Sequence, residues 1–260
     1  MQRIAGIACG VAVQAFFLAT VWRLYWFLSG QNESLWTAPV WTDVPLALQF
    51  SVVHSLLLLP GVRKRLETWI APSFYGLFYC LATCGGLWLI FLGWQRSPDV
   101  LIAFSTPLQG TIQAAFFLSW GALFYSLHLT GLGYQTGLTP WWYWVRRQPS
   151  PRRRFDPRSL YRWLRHPVYL SFLGLVWFHP EPTLDRLLLI AVWTPYIFVG
   201  SYLKDQRLLF YLRETYRDYQ ARVPGYPGMF VGPLARIPHR KSEPAIPAIV
   251  PLAGPQRAAA

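Results

Sequence analysis

Residues 155–203 read FDPRSLYRWLRHPVYLSFLGLVWFHPEPTLDRLLLIAVWTPYIFVGSYL. A basic stretch carrying Arg158, Arg162 and Arg165 gives way at Pro167 to an apolar run, turns over a short tip at 181–186, and returns as a second apolar run through 203. A membrane-spanning helix needs about 20 mostly apolar residues, and 185–203 nearly supplies them. The run 167–180 is shorter. At a rise of about 1.5 Å per residue it covers roughly 20 Å of a hydrocarbon core about 30 Å thick, so it crosses only by thinning the bilayer or by extending at its ends. The pair reads as a helical hairpin whose open ends share one side.

Outward from the hairpin, further apolar runs occupy 4–28, 44–60, 74–94 and 107–129. Only 13% of the chain is charged and 53% is hydrophobic, where a soluble domain carries roughly 25% charge. The runs also lack the polar stripe of a soluble amphipathic helix. The expected fold is therefore all-α: a polytopic membrane protein of about six transmembrane helices, the last two forming the hairpin, followed by a short interfacial helix. The first run is too long for a secretory h-region of roughly 7–15 residues, and it continues through Trp22, Tyr25, Trp26 and Phe27 as an interfacial belt.

Cytoplasmic connections retain Lys and Arg. Arg63, Lys64 and Arg65 follow the second run; Arg146, Arg147, Arg152, Arg153, Arg154, Arg158, Arg162 and Arg165 follow the fourth. The alternate connections hold at most Arg96 or Arg186. This alternation places both termini in the cytoplasm, with a bacterial inner membrane as the expected location. The net charge of +13 lies between apolar runs and forms no nucleic-acid motif, so the bilayer, not nucleic acid, is the expected partner. Residues 1–231 form the expected membrane domain, and 232–260, rich in Pro and Ala, a disordered cytoplasmic tail.

The three cysteines, Cys9, Cys80 and Cys84, lie inside apolar runs and form no C-x-x-C pair, and no metal site is expected. The densest chemistry lies at FDPRSLYRWLRHPVY, 155–169. Pro167 suits a first helical turn, which sets His166 at the N-cap and Arg165 just outside. Free N–H groups and basic side chains there suit a carboxylate or phosphate, and Tyr169 shares the face of His166. Beyond the hairpin, Lys204, Asp205 and Arg207 break the apolar run, and the topology returns Asp205 toward Arg165 and His166. Residues 208–222 alternate apolar and charged side chains as an interfacial helix does. His54 is an intramembrane polar group.

RHPVY at 165–169, the hairpin after it, and YRDYQARVP at 216–224 resemble the C-terminal core of the isoprenylcysteine carboxyl methyltransferase superfamily. VHS at 53–55 and FHPEPTLDRLLL at 178–189 bring the chain closer to its bacterial methanethiol S-methyltransferase and NnrU-like branch. The resemblance covers about 50–227 and is most specific over 155–224. It implies a membrane enzyme that binds S-adenosylmethionine near the cytoplasmic face and methylates a thiol or small amphipathic acceptor. It assigns Arg165 and His166 to catalysis, and Arg165, His166, Tyr169 and Asp205 to the cofactor, Arg165 pairing with its carboxylate. Two glutamates of the family fall on Lys204 and Asp205, a departure that leaves a second reading: a non-enzymatic NnrU-like membrane protein supporting respiratory or metal-centre assembly.

Overall fold

The computed structural model describes residues 2–35, 37–151 and 155–238. It is a helical bundle: α1 (Gln2–Leu28), α2 (Asp43–Leu58), the short α3 (Pro60–Leu66), α4 (Pro72–Gly93), α5 (Thr106–Thr130), the turn-like α6 (Leu132–Gln135), α7 (Leu138–Val145), α8 (Pro167–Trp177), α9 (Leu184–Leu212) and α10 (Glu214–Arg222). Proline stands in the first turn of α3, α4, α5 and α8, where its missing N–H breaks no helical bond. Among the described residues, five segments have the length and composition to cross a membrane: Gln2–Leu28, Val40–Leu58, Pro72–Gly93, Thr106–Thr130 and Leu184–Leu212. The sixth, α8, has 11 residues, about 16 Å of helix. The chain beyond it, 178–183, continues in irregular form and bridges Thr183 to Val100.

The core lies where α1, α2, α4, α5, α8 and α9 meet: Phe27, Leu28, Ile90, Phe91, Trp120, Leu175, Val176, Leu189 and Trp193 are buried in one cluster. Ile4, Leu18, Trp22, Val52, Leu118 and Val199 are exposed on the outside, the arrangement expected when lipid is the solvent. Small residues bring α8 against α5. A Cβ built on Gly174 would lie 2.2 Å from Ser119 Oγ and 3.0 Å from Ser119 Cβ, so any larger residue would push Ser119 aside.

Contacts sort the connections into two ends. At one, Arg3 donates to the Val145 carbonyl and Tyr75 to the Leu57 carbonyl, beside the basic residues after α2, α7 and α9. At the other, Asp43 accepts from Gln95 N, and Asp185 from Ser97 N and Trp94 Nε1.

Three expectations need revision. Helix α9 does not stop near 203 but runs unbroken to Leu212, because Lys204 and Arg207 project from one face while Asp205 stays on the buried one. The stretch 208–222 is not one interfacial helix: Arg213, at φ 48°, breaks it, and α10 turns back to bury Tyr216 and Tyr219 beside Val223. The tail expected from 232 is packed at its start. Leu234 and Ala235 are buried, and Gly225 N and Ile237 N donate to Leu234 and Gln220 carbonyls. Residues 239–260, the rest of that expected tail, lie outside the described residues.

Candidate functional site

Helix α9 organises the site through its two faces. Leu189, Trp193, Ile197, Ser201 and Asp205 recur every fourth residue along the buried face. Tyr196, Gly200, Leu203, Lys204 and Arg207 follow the next face, about 100° around the helix, and line a cavity. Adjacent residues Lys204 and Asp205 therefore belong to different structures.

On the buried face, Asp205 meets Arg165 and His166, which arrive from the segment before α8. Arg165 Nη2 lies 3.0 Å from Asp205 Oδ2, and His166 Nε2 3.1 Å from Oδ1. The Tyr216 hydroxyl donates to the same carboxylate. All three charged or polar side chains are at most 1% exposed. Arg165 also donates through Nη1 to the Val223 and Ala235 carbonyls at 2.8 and 3.0 Å, and through Nη2 to Pro233 at 3.3 Å. The backbone N–H groups of Arg165 and His166 donate to Pro224 and Gly225 carbonyls. A side chain on Gly225 would lie 2.8 Å from the Leu234 carbonyl oxygen and 3.1 Å from His166 Cδ2, so glycine is what lets this strap close over the helix start.

Burial, aided by the Lys204 and Arg165 charges and opposed by Asp205, lowers the His166 pKa from 6.5 to about 4. The ring is therefore neutral near pH 7. Its Nδ1 has no hydrogen-bond partner among the described residues and its ring sits edge-on to Tyr169, centroids 5.6 Å apart. The trio thus reads as Arg⁺, Asp⁻ and neutral His, close to charge balance in a dry setting.

On the other face, the cavity runs between α2, α8 and α9 from Tyr196 to Phe210, about 20 Å along the helix. It encloses about 660 Å³ counting its open mouth. His54 and Ser55 line it from α2, Tyr169 from α8, and Lys204, Gln206 and Arg207 from α9. Lys204 Nζ sits over the Tyr169 and Tyr161 rings, 5.4 and 5.7 Å from their centroids. Arg207 Nη1 reaches the Leu58 carbonyl at a long 3.5 Å. His54 is bonded to the Tyr79 hydroxyl.

The structure therefore gathers Arg165, His166, Tyr169 and Asp205 in one neighbourhood, but only Tyr169 faces the cavity. The guanidinium of Arg165, expected to meet a cofactor carboxylate, is enclosed by protein carbonyls and Asp205. Tyr196, Arg207 and Ser55 also face the cavity, beyond the residues expected from sequence. Their signal was available: 196, 200, 203, 204 and 207 repeat at helical spacing beside the buried 193, 197, 201 and 205.

The cavity's side chains suit S-adenosylmethionine in part. Lys204 and Arg207 suit a carboxylate, the rings of Tyr196 and Phe210 a sulfonium, and Ser55 and Gln206 amine or hydroxyl groups. No carboxylate lines it among the described residues, and Lys204 holds the position where the resembled family has an acid.

The family described as NnrU protein matches residues 44–207. Methanethiol S-methyltransferase of a Pseudomonas species is 28% identical over 235 residues, covering 85% of this chain and 89% of its own length. Methanethiol S-methyltransferase 1 of Bradyrhizobium diazoefficiens is 30% identical, with 82% and 79% covered. Nurim of Mus musculus is 30% identical, with 72% and 74% covered. No solved structure matches at the significance these relatives reach.

Proposed function

The chain belongs to the NnrU protein family, and from that premise we propose that it is a membrane methyltransferase that takes S-adenosylmethionine and methylates a small thiol. The observation that carries this reading is the cavity between α2, α8 and α9, which has two cations and aromatic walls but no acid. When bound, S-adenosylmethionine supplies an electrophilic methyl group: a thiolate sulfur forms the new C–S bond as the old one breaks, its electron pair stays on the departing sulfur, and the thiol proton leaves to water.

The chain's own residues would bind and orient. Arg207 and Lys204 hold the cofactor carboxylate and favour the thiolate form of the acceptor. Tyr169, Tyr196 and Phe210 flank the sulfonium and exclude water. Arg165, His166 and Asp205 act behind the cavity: they fix the start of α8 to α9 and to the strap at 223–235, and so set where Tyr169 stands. Orientation of two reactants in a water-poor site is the main demand of such a transfer, and no metal is required. Both termini lie in the cytoplasm on this reading, and the cavity opens there.

The relatives named methanethiol S-methyltransferase support a thiol acceptor. The second reading, a non-enzymatic member of the family, rests on Lys204 standing in place of an acid. Purified protein incubated with methyl-labelled S-adenosylmethionine and methanethiol separates them. Labelled dimethyl sulfide, reduced about tenfold or more in Arg207→Ala by loss of a charge-assisted bond, is the expected result. Absence of both methyl transfer and S-adenosylhomocysteine binding in folded wild type would overturn the enzymatic reading.

A further inference from the structure

At the end of the bundle opposite the basic one, the connections 29–39, 94–105 and 178–183 enclose a second cavity of about 470 Å³ counting its mouth. Its walls include Phe27, Trp94, Arg96, His179, Asp185 and Arg186. Arg186 is 4% exposed. Its Nη2 donates to the Phe27 carbonyl at 3.1 Å, and its Nη1 has no partner among the described residues. The neighbouring acid does not complete it. Asp185 is held by Ser97 N and the Trp94 indole at 3.0 and 3.1 Å, and no ion pair joins it to Arg186 among the described residues. Glu181, also on the wall, is exposed, and its backbone engages His179 Nδ1. Arg96 is exposed beside the same cavity.

We propose that this cavity is a binding site for a phosphate-type oxyanion, seated on the free Nη1 of Arg186 and closed over by Arg96. A guanidinium removed from water without a carboxylate partner carries an unrecovered desolvation cost. Two planar forks, one from the first turn of α9 and one from the connection before α5, match the several oxygens of a phosphate better than a single lysine would. The oxyanion comes either from a lipid headgroup at that surface or from a free phosphate. The site is remote from the cavity between α2, α8 and α9 and does not depend on the methyltransferase reading.

The test uses the full chain in phosphatidylcholine nanodiscs, with inorganic phosphate as the probe followed by calorimetry and ³¹P NMR. A second set of discs contains phosphatidylglycerol. Wild type binds phosphate saturably, and Arg186→Gln weakens it about tenfold or more. Arg96→Gln, on an exposed residue whose folding is not at risk, weakens it by a smaller factor. If the headgroup is the ligand, free phosphate does not bind. Phosphatidylglycerol then raises the unfolding temperature of wild type and fails to raise that of Arg96→Gln. An Nη1 that is merely hydrated gives no response to either probe, and that result overturns the proposal. Equal responses from wild type and both folded variants overturn it as well.

Discussion

Two buried arginines, each close to a buried aspartate, sit at opposite ends of this bundle. Arg165 pairs with Asp205 and donates to carbonyls from the strap at 223–235. Arg186 is next in sequence to Asp185, yet the aspartate is claimed by Ser97 and Trp94, and the arginine keeps one nitrogen unpartnered. A buried charge paired with a carboxylate and donating from both terminal nitrogens to protein carbonyls, with only Nε unmatched among the described residues, is a fastening. One with a single carbonyl partner, no ion pair among the described residues and a terminal nitrogen unmatched beside a cavity suits a counter-ion from outside the protein. Residue type and burial are the same in both; the difference is in the accounting of hydrogen bonds.

The largest effect is expected from removing Arg165. Arg165→Ala leaves Asp205 buried beside an uncharged His166 and strips the strap of its donor, so unfolding in detergent should show a loss of about 3–5 kcal/mol. Full stability would mean that the strap holds itself and that Arg165 is not its fastening.

A somewhat smaller effect comes from His166, whose folded pKa lies near 4 against an ordinary 6.5. Its neutral form is favoured by the fold, so its contribution is fully present above about pH 6.5 and is lost as pH falls toward 4, where only the unfolded chain takes up the proton. The loss across that window is up to about 3 kcal/mol. Comparing unfolding of wild type and His166→Gln at pH 7 and pH 5 isolates it. The variant should lack that part of the slope, and parallel slopes would contradict a neutral buried ring.

Arg186→Met sharpens the contrast because its expected cost is small. Replacing an unpaired buried charge by an apolar chain is often neutral or stabilising, so in phosphate-free buffer and phosphatidylcholine discs the unfolding temperature should hold or rise. A loss as large as that of Arg165→Ala would show that the two arginines do the same job. The smallest effect belongs to truncation. Ending the chain after Pro238 should leave the unfolding temperature unchanged. Ending it after Gly232 removes the Pro233 and Ala235 carbonyls from Arg165 and should lower that temperature.

Much of this was legible in the sequence. Apolar run lengths located the spans, and the basic connections that alternate along the chain do gather at one end. Pro167 marked the start of α8, and the hairpin brought Asp205 to Arg165 and His166. What was not legible was who occupies Arg165. Its partners are backbone carbonyls of an irregular segment some 60 to 70 residues away, and carbonyls carry no side-chain signature. The end of α9 was misplaced for a related reason: a charged cluster reads as an exit from the membrane, although the helical repeat puts Lys204 and Arg207 on the cavity and Asp205 on the core. The distinction between the two faces was in the spacing of 193, 197, 201 and 205, and it decides which of the neighbouring residues can touch a ligand.

On the proposed function, the cavity face of α9, not the buried trio, makes the direct contacts with the methyl donor. Calorimetric titration of S-adenosylhomocysteine into purified wild type and Arg207→Ala tests it, with Arg158→Ala as the control in the basic connection. The expected result is saturable binding to wild type and to the control, and an affinity about tenfold or more lower for Arg207→Ala at an unchanged unfolding temperature. Binding by folded Arg207→Ala as tight as wild type would contradict it.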